Sequence, residues 1–284
     1  MKTYPKWLSA AVLSAMLASP AAALETKAKN VILMDYDTGE YLFAENAFVP
    51  VAPASMSKLM TVYVLFSKLK DGTLSLEDVF SVSENAWRTG GAASGSSTMF
   101  LPIGSKVTVE NLIKGIIIQS GNDACIVAAE NIAGSEEDFA ELMNAKAKEL
   151  GLKNSHFVNS TGLPHPDHRM SAEDLARLAQ ALIRDFPEYY SVFSQKSFTY
   201  NNILQGNRNP LLYSMPDADG LKTGHTAEAG FCLTASVKRG DRRLIGVMTG
   251  LKSNKERSEE AEKLMNWGFR EFNNYKVFKQ FQRI

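Results

Sequence analysis

Two kinds of apolar pattern divide the chain. Near the start, Asn30–Tyr36 (NVILMDY) is a short apolar run. The turn Asp37-Thr38-Gly39-Glu40 separates it from a second run, Tyr41-Leu42-Phe43, and the pair predicts a β-hairpin. From Pro53 to Lys70 the apolar residues recur on nearly every side of a helical wheel, which predicts one buried helix with Pro53 in its opening turn. The segment Gly90–Ser97 (GGAASGSS) predicts a flexible loop with no packing capacity of its own. Val107–Ile118 and Asp123–Ile132 predict two apolar helices, interrupted by the polar break Gln119-Ser120-Gly121-Asn122. Glu136–Leu150 predicts an amphipathic helix stopped by Gly151. Ser171-x-x-Asp174 is a capping pattern for a helix running to Ile183. Short strands are expected at Phe198–Tyr200 and from Leu221–Thr223. Two clear ones, Phe231–Val237 and Leu244–Met248, are joined by a turn at Lys238–Asp241, and a helix over Ser258–Phe272 closes the pattern. Strands therefore come from both ends and helices from the middle. Short connections make the sheet antiparallel, giving an α/β (α+β) fold with a sheet flanked by helices. No repeat or long linker precedes about residue 270, so residues 24–272 are expected to form one catalytic-sized unit. The tail 273–284 reads as a frayed helix end or the start of a further domain.

The buried helix carries a chemical anomaly. Ser55 and Lys58 lie three residues apart in its first turn and are therefore side by side. A lysine at the mouth of a buried helix is costly unless it finds partners or gives up its proton. In the neutral state it can act as a base toward the adjacent serine.

Composition narrows the setting. The chain has 284 residues, 45% of them hydrophobic and 22% charged, and its 31 basic and 31 acidic residues cancel. Nothing in that balance points to a nucleic-acid partner. Lys2 and Lys6, the apolar stretch Trp7–Leu17 and Pro20-Ala21-Ala22-Ala23 form a secretory leader pattern over residues 1–23, with cleavage expected near Leu24 rather than retention as an anchor. No later apolar run approaches the ~18 residues of a membrane span. Cys125 and Cys232 could pair in an exported protein, but both sit in apolar runs and read better as buried thiols. His165-x-x-His168 with Asp167 has too few ligands nearby for a metal site, and no metal or cofactor is expected. His156 is expected to pack in a strand. Glu173, in a first helical turn behind Ser171, is placed more simply by the helix dipole than by catalysis.

Three short motifs then stand in order: Ser55-x-x-Lys58, Ser120-x-Asn122 and Lys222-Thr223-Gly224. Singly they are weak. Ser-x-x-Lys is expected by chance about once in a chain of this size, and Ser67-x-x-Lys70 and Ser83-x-Asn85 are such matches here. As an ordered set, on a helix mouth, in a helix break and on a strand, they mark penicillin-binding proteins and class A β-lactamases. With its surroundings (PASMSKLMT at 53–61, QSGNDA at 119–124, GLKNSHF at 151–157, GLKTGHT at 220–226, NWGFR at 266–270) the chain from about Asn30 to Phe272 closely resembles the D-alanyl-D-alanine carboxypeptidases among the low-molecular-mass penicillin-binding proteins.

That resemblance implies a sheet with a helical subdomain and an active site between them. It implies Ser55 as nucleophile, Lys58 as base, and Ser120 as a proton relay between Lys58 and Lys222. Asn122 would hold the substrate amide, and Lys222 and Thr223 the terminal carboxylate. The backbone N–H groups of Ser55 and His225 would form an oxyanion hole. Arg257 and Arg208 are further candidates for the carboxylate, with solvated surface arginines as the alternative. The implied partners are peptidoglycan stem peptides and β-lactams, and the implied setting is the periplasm, with peripheral association at the inner membrane as a further option. A D-Ala–diaminopimelate endopeptidase, a β-lactamase and a catalytically idle penicillin sensor remain as other readings. No Glu-x-x-Leu-Asn-like deacylation segment supports the β-lactamase.

Overall fold

The computed structural model describes residues 24–275, so the leader pattern and residues 276–284 of the tail lie outside the described residues. In chain order the elements are β1 (Asn30–Asp35), β2 (Tyr41–Glu45), a 3-10 turn (Ala54–Ser57), α1 (Lys58–Lys70), β3 (Val79–Ser81), a π turn (Ala86–Gly90), a 3-10 turn (Ala92–Ser94) and β4 (Lys106–Thr108). They continue with α2 (Val109–Lys114), a π turn (Gly115–Gln119), α3 (Asn122–Ala133), α4 (Glu136–Glu149), α5 (Ala172–Asp185) and a 3-10 turn (Tyr190–Ser194). The last are β5 (Ser197–Tyr200), β6 (Ile203–Gly206), α6 (Leu211–Ser214), β7 (Ala218–Thr226), β8 (Gly230–Arg239), β9 (Arg242–Leu251) and α7 (Asn254–Glu271).

Five strands form one antiparallel sheet in the order β2-β1-β9-β8-β7. β1, from the start of the chain, pairs with β9 near its end, with Asn30 opposite Thr249. Alternation sorts the sheet residues to two faces. Ile32, Met34, Ile245 and Val247 join the core around α1 and α5. Val31, Leu33, Leu244 and Met248 join the core under α7. Close approach of α7 needs two glycines: a Cβ on Gly268 would lie 2.4 Å from Leu33, and one on Gly246 would lie 2.8 Å from Met265. The helix α1 is buried on every side, with Leu59, Met60, Leu65 and Phe66 essentially without exposure. Each such side chain contributes about 1.5–3 kcal/mol. Phe66 packs against Phe186, Tyr189 and Phe193. No helix among the described residues is long and apolar enough to cross a membrane.

Several sequence expectations need correction. The buried helix does not run unbroken from Pro53: a 3-10 turn precedes α1, because Ala54 sits at φ 49° and cannot belong to a regular helix. The helix expected from Val107 begins at Val109, where the Thr108 hydroxyl accepts the Asn111 N–H, and Lys106–Thr108 instead pairs with β3. Its last turn widens into a π turn at Gly115, where a Cβ would lie 2.3 Å from the Met99 sulfur. The closing helix starts four residues early, capped by Ser253. His156 is exposed, joined to Arg169 by an isolated bridge rather than packed in a strand. The largest correction concerns Gly90–Ser97. This segment is folded against α3, and a Cβ on Gly90 would lie 2.4 Å from the Asp123 nitrogen. The chain beyond it is held by the buried Asp123 carboxylate, which accepts from Thr98 Oγ1 (2.6 Å) and the N–H groups of Met99 (2.9 Å) and Leu101 (3.1 Å). These restraints are polar, so hydrophobic patterning could not reveal them.

Candidate active site

Three elements meet at the edge of the sheet: the mouth of α1, the break between α2 and α3, and β7. A cleft of about 730 Å³ opens there, lined by Ser55, Ser120, Asn122, Thr223, His225, Arg208 and Arg257 among others. β7 reaches the 3-10 turn of Ser55 because position 224 is glycine; a Cβ there would lie 3.0 Å from Ala54 Cβ and 3.1 Å from the Pro53 carbonyl.

Lys58 has no solvent exposure. Its Nζ lies 2.9 Å from Ser55 Oγ, 2.7 Å from Asn122 Oδ1 and 2.5 Å from the Thr161 carbonyl. The two carbonyl-type oxygens can only accept, so they take two N–H bonds. In a neutral amine the third position is the lone pair, and it faces the Ser55 hydroxyl. Burial pushes the Lys58 pKa down to about 8, assisted by the charge of Arg208 and opposed by Glu136 and Asp123. A neutral, correctly aimed base is thus accessible near neutral pH.

Ser120 ends the π turn in the left-handed region, φ 65°, which turns its hydroxyl toward β7. Lys222 Nζ donates to it at 2.9 Å and to the Thr223 carbonyl at 3.1 Å. Lys222 is buried, and burial followed by the charges of Lys58 and Arg208 holds its pKa well below the usual lysine range. Asn122 opens α3. Its N–H donates to the Ser97 carbonyl at 2.7 Å and its Nδ2 to Ser96 Oγ at 2.9 Å. Sequence reasoning missed these two serines because it read their segment as unstructured.

The two arginines differ. Arg257 comes from α7 and is buried; its Nη2 donates to Asn254 Oδ1 (2.7 Å), its guanidinium lies 5.7 Å from the Phe231 ring centre, and its Nε has no protein partner. Burial lowers its pKa to about 10. Arg208 stands exposed on the rim, donating to Ser97 Oγ at 2.6 Å. The surface reading fails for Arg257, while Arg208 is a surface residue that also borders the cleft. His225 stacks on Phe231 with ring centres 4.0 Å apart.

Residues outside the cleft have their own explanations. Ser67 donates to the Tyr63 carbonyl and Lys70 to the Asp185 carbonyl, so the second Ser-x-x-Lys is spent inside the helical packing. Glu173 accepts from Tyr41 (2.7 Å) and pairs with Arg177. His168 is buried and its pKa pushed down to about 4 by burial, whereas His165 is exposed. Among the described residues no His, Cys, Asp and Glu side chains cluster as a metal site. Cys125 and Cys232 are separate buried thiols.

Residues 16–253 match the family described as D-alanyl-D-alanine carboxypeptidase, peptidase S11. The chain belongs to that family. Among relatives of this carboxypeptidase family, the DacC D-alanyl-D-alanine carboxypeptidase of Escherichia coli K12 is 50% identical over 243 residues, which cover 85% of this chain and 61% of the relative. The E. coli K12 DacA enzyme is 46% identical, covering 89% of this chain and 64% of its own length. The chain thus spans less than two thirds of these relatives. The crystal structure of penicillin binding protein 5 from Haemophilus influenzae superposes with a TM-score of 0.88 at 40% identity, covering 92% of this chain and 76% of that one. The ampicillin-bound form of penicillin-binding protein D2 from Listeria monocytogenes superposes with a TM-score of 0.75 at 28% identity, covering 87% and 99%.

Proposed function

We propose that this chain is a serine-type D-Ala-D-Ala carboxypeptidase that removes the terminal D-alanine from peptidoglycan stem peptides through an acyl-enzyme, and that β-lactams acylate the same serine. The observation that carries the proposal is the Ser55–Lys58 pair at 2.9 Å, with the other two Lys58 hydrogen bonds committed to carbonyl-type oxygens. Ser55 Oγ attacks the carbonyl carbon of the penultimate D-alanine as Lys58 takes its proton. The backbone N–H groups of Ser55 and His225 receive the oxyanion. The Ser120–Lys222 pair delivers a proton to the departing D-alanine nitrogen, and water then releases the shortened peptide from Ser55. Asn122 holds the substrate amide. Lys222, Thr223 and Arg257 face the terminal carboxylate, with Arg208 at the entrance. An arriving carboxylate raises the Lys222 pKa again and restores its charge when it is needed. Such a substrate places the enzyme on the exported side of the cell membrane, in keeping with the leader pattern.

The test is incubation with a fluorescent penicillin, followed by assay of D-alanine release from a stem pentapeptide. Covalent labelling at Ser55 with release of free D-alanine is expected. Absence of labelling sinks every acyl-enzyme reading. Labelling with cleavage of only crosslinked dimers makes the chain an endopeptidase, and rapid turnover of the penicillin itself makes it a β-lactamase.

A further inference from the structure

Lys58 draws one of its three partners from a backbone carbonyl, and that carbonyl belongs to a loop which sequence reasoning did not connect with the site. The loop runs from Asn159 to Leu163. Thr161 supplies the carbonyl, 2.5 Å from Lys58 Nζ, and is buried. A backbone carbonyl aims at a lysine only if its peptide plane is fixed, and one side chain fixes this plane. Asn159 Oδ1 accepts three hydrogen bonds, from Thr161 N (3.1 Å), Thr161 Oγ1 (3.0 Å) and Gly162 N (2.7 Å). Asn159 Nδ2 donates to the Leu163 carbonyl at 3.2 Å. The carboxamide therefore grips both sides of the Thr161–Gly162 peptide, an Asx turn with an extra clasp.

Other contacts seat the loop against the nucleophile turn and α1, beside the clasp on that peptide. Gly162 has φ 77°, and a Cβ on it would lie 2.1 Å from the Ala54 carbonyl. The Ser160 carbonyl accepts from Thr61 Oγ1, one turn along α1 from Lys58, at 2.7 Å. Asn159 itself does not line the cleft, whereas Gly162 and Leu163 do.

We infer that Asn159 is a positioning residue for the base: through its grip on the Thr161–Gly162 peptide it holds the Thr161 carbonyl on Lys58, so that the remaining Lys58 position points at Ser55. This rests on the acyl-enzyme reading above. With Asn122 Oδ1 and Thr161 O fixed, the Lys58 lone pair has one direction left. With the Thr161 carbonyl free to swing, the amine rotates among several and spends less time aimed at the nucleophile. The carbonyl dipole also favours the ammonium form, so its loss and the addition of a negative charge at position 159 move the Lys58 pKa in opposite directions. The other groups acting on Lys58 are Asp123 and Cys125 on α3, Glu136 on α4, Lys222 on β7, Arg208 on the rim and His168 beyond the loop. All of them stay unchanged when Asn159 is replaced.

The experiment measures the acylation rate by a chromogenic β-lactam against pH for the wild type, Asn159→Ala, Asn159→Asp and Ser160→Ala, with a thermal melt of each. Ser160→Ala removes one of the loop's two bonds to Glu136 and leaves the Ser160 N–H to hold that carboxylate in place, so it weakens the loop without touching the Asn159 grip. Asn159→Ala is expected to lower the plateau rate roughly tenfold and to move the rising limb to lower pH. Asn159→Asp keeps the accepting oxygen, so it folds, and moves the limb to higher pH. Ser160→Ala is expected to melt earlier with the limb in place. The inference is overturned if the Asn159→Ala plateau matches the wild type, or if Ser160→Ala reproduces the changes of Asn159→Ala. A wild-type protein that is not acylated at any pH overturns the underlying functional reading instead.

Discussion

Lys222 Nζ donates a 2.9 Å hydrogen bond to Ser120 Oγ across 102 residues of sequence. This contact joins the edge of the sheet to the break between two helices, and it gives the Ser120 hydroxyl a proton source. Ser120→Ala and Lys222→Gln should each slow acylation by about two to three orders of magnitude, in the range for losing proton transfer or charge stabilisation. Stopped-flow acylation beside a thermal melt checks this. A wild-type rate in Ser120→Ala would remove that residue from the relay.

The two Ser-x-x-Lys matches on one helix give an internal control. Ser55→Ala should abolish penicillin labelling, and Ser67→Ala should leave it intact, because Ser67 only returns a hydrogen bond to the Tyr63 carbonyl. Gel fluorescence after denaturation reads both. Equal labelling in the two variants would show that Ser55 is not the acylated serine.

Acylation should rise with pH through about 8, where Lys58 loses its proton. The sign follows from the cause. Burial disfavours the ammonium, so the folded protein releases that proton below the usual lysine range and gains base as pH increases. The positive charge of Arg208 acts in the same direction. Arg208→Ala should therefore move the limb to higher pH. Because Arg208 is exposed, the displacement should shrink as salt is added. A limb that moves to lower pH in this variant would contradict the electrostatic account.

Asp123 is a fully buried carboxylate that accepts from Thr98, Met99, Leu101 and Ala124. Asp123→Asn keeps the shape but turns one accepting oxygen into a donor that faces other donors. Urea unfolding should show a loss of about 2–4 kcal/mol. Labelling should slow as well, because the segment carrying Ser96 and Ser97 loses its anchor beside Asn122. Unchanged stability would show that the carboxylate charge contributes nothing to holding that segment.

Much of this architecture was legible in residue order. The alternating and continuous apolar runs located β1, β8, β9 and the buried α1, because those elements are shaped by burial. The three motifs named side chains that the fold brings to one cleft, although they lie as far apart in sequence as Ser55 and Lys222. What stayed hidden is held by polar bonds. The Gly90–Ser97 segment has no apolar pattern, and its order comes from the close approach of Gly90 to α3 and from the bonds of Asn122 to Ser96 and Ser97. The loop carrying the Thr161 carbonyl is invisible for the same reason, since a backbone acceptor leaves no residue type to recognise. A local signal was overlooked at β5–β6: Asn201 and Asn202 both take positive φ, as a tight hairpin turn requires, and an Asn-Asn pair between short apolar runs suggests one.

The pairing of β1 with β9 sets a timetable for this molecule. Asn30 and Thr249, 219 positions apart in the sequence, meet side chain to side chain, and β2, which precedes the nucleophile, can join the sheet only through β1. Contacts so remote in sequence are slow to form, because a long stretch of chain must be ordered before they repay its entropy. A chain emerging amino end first exposes Ser55 early but cannot seat it against Lys222 until the last strands arrive. The cleft between the Ser55 turn and β7 is therefore a late product of folding, complete only when the two ends of the sheet's chain have found each other.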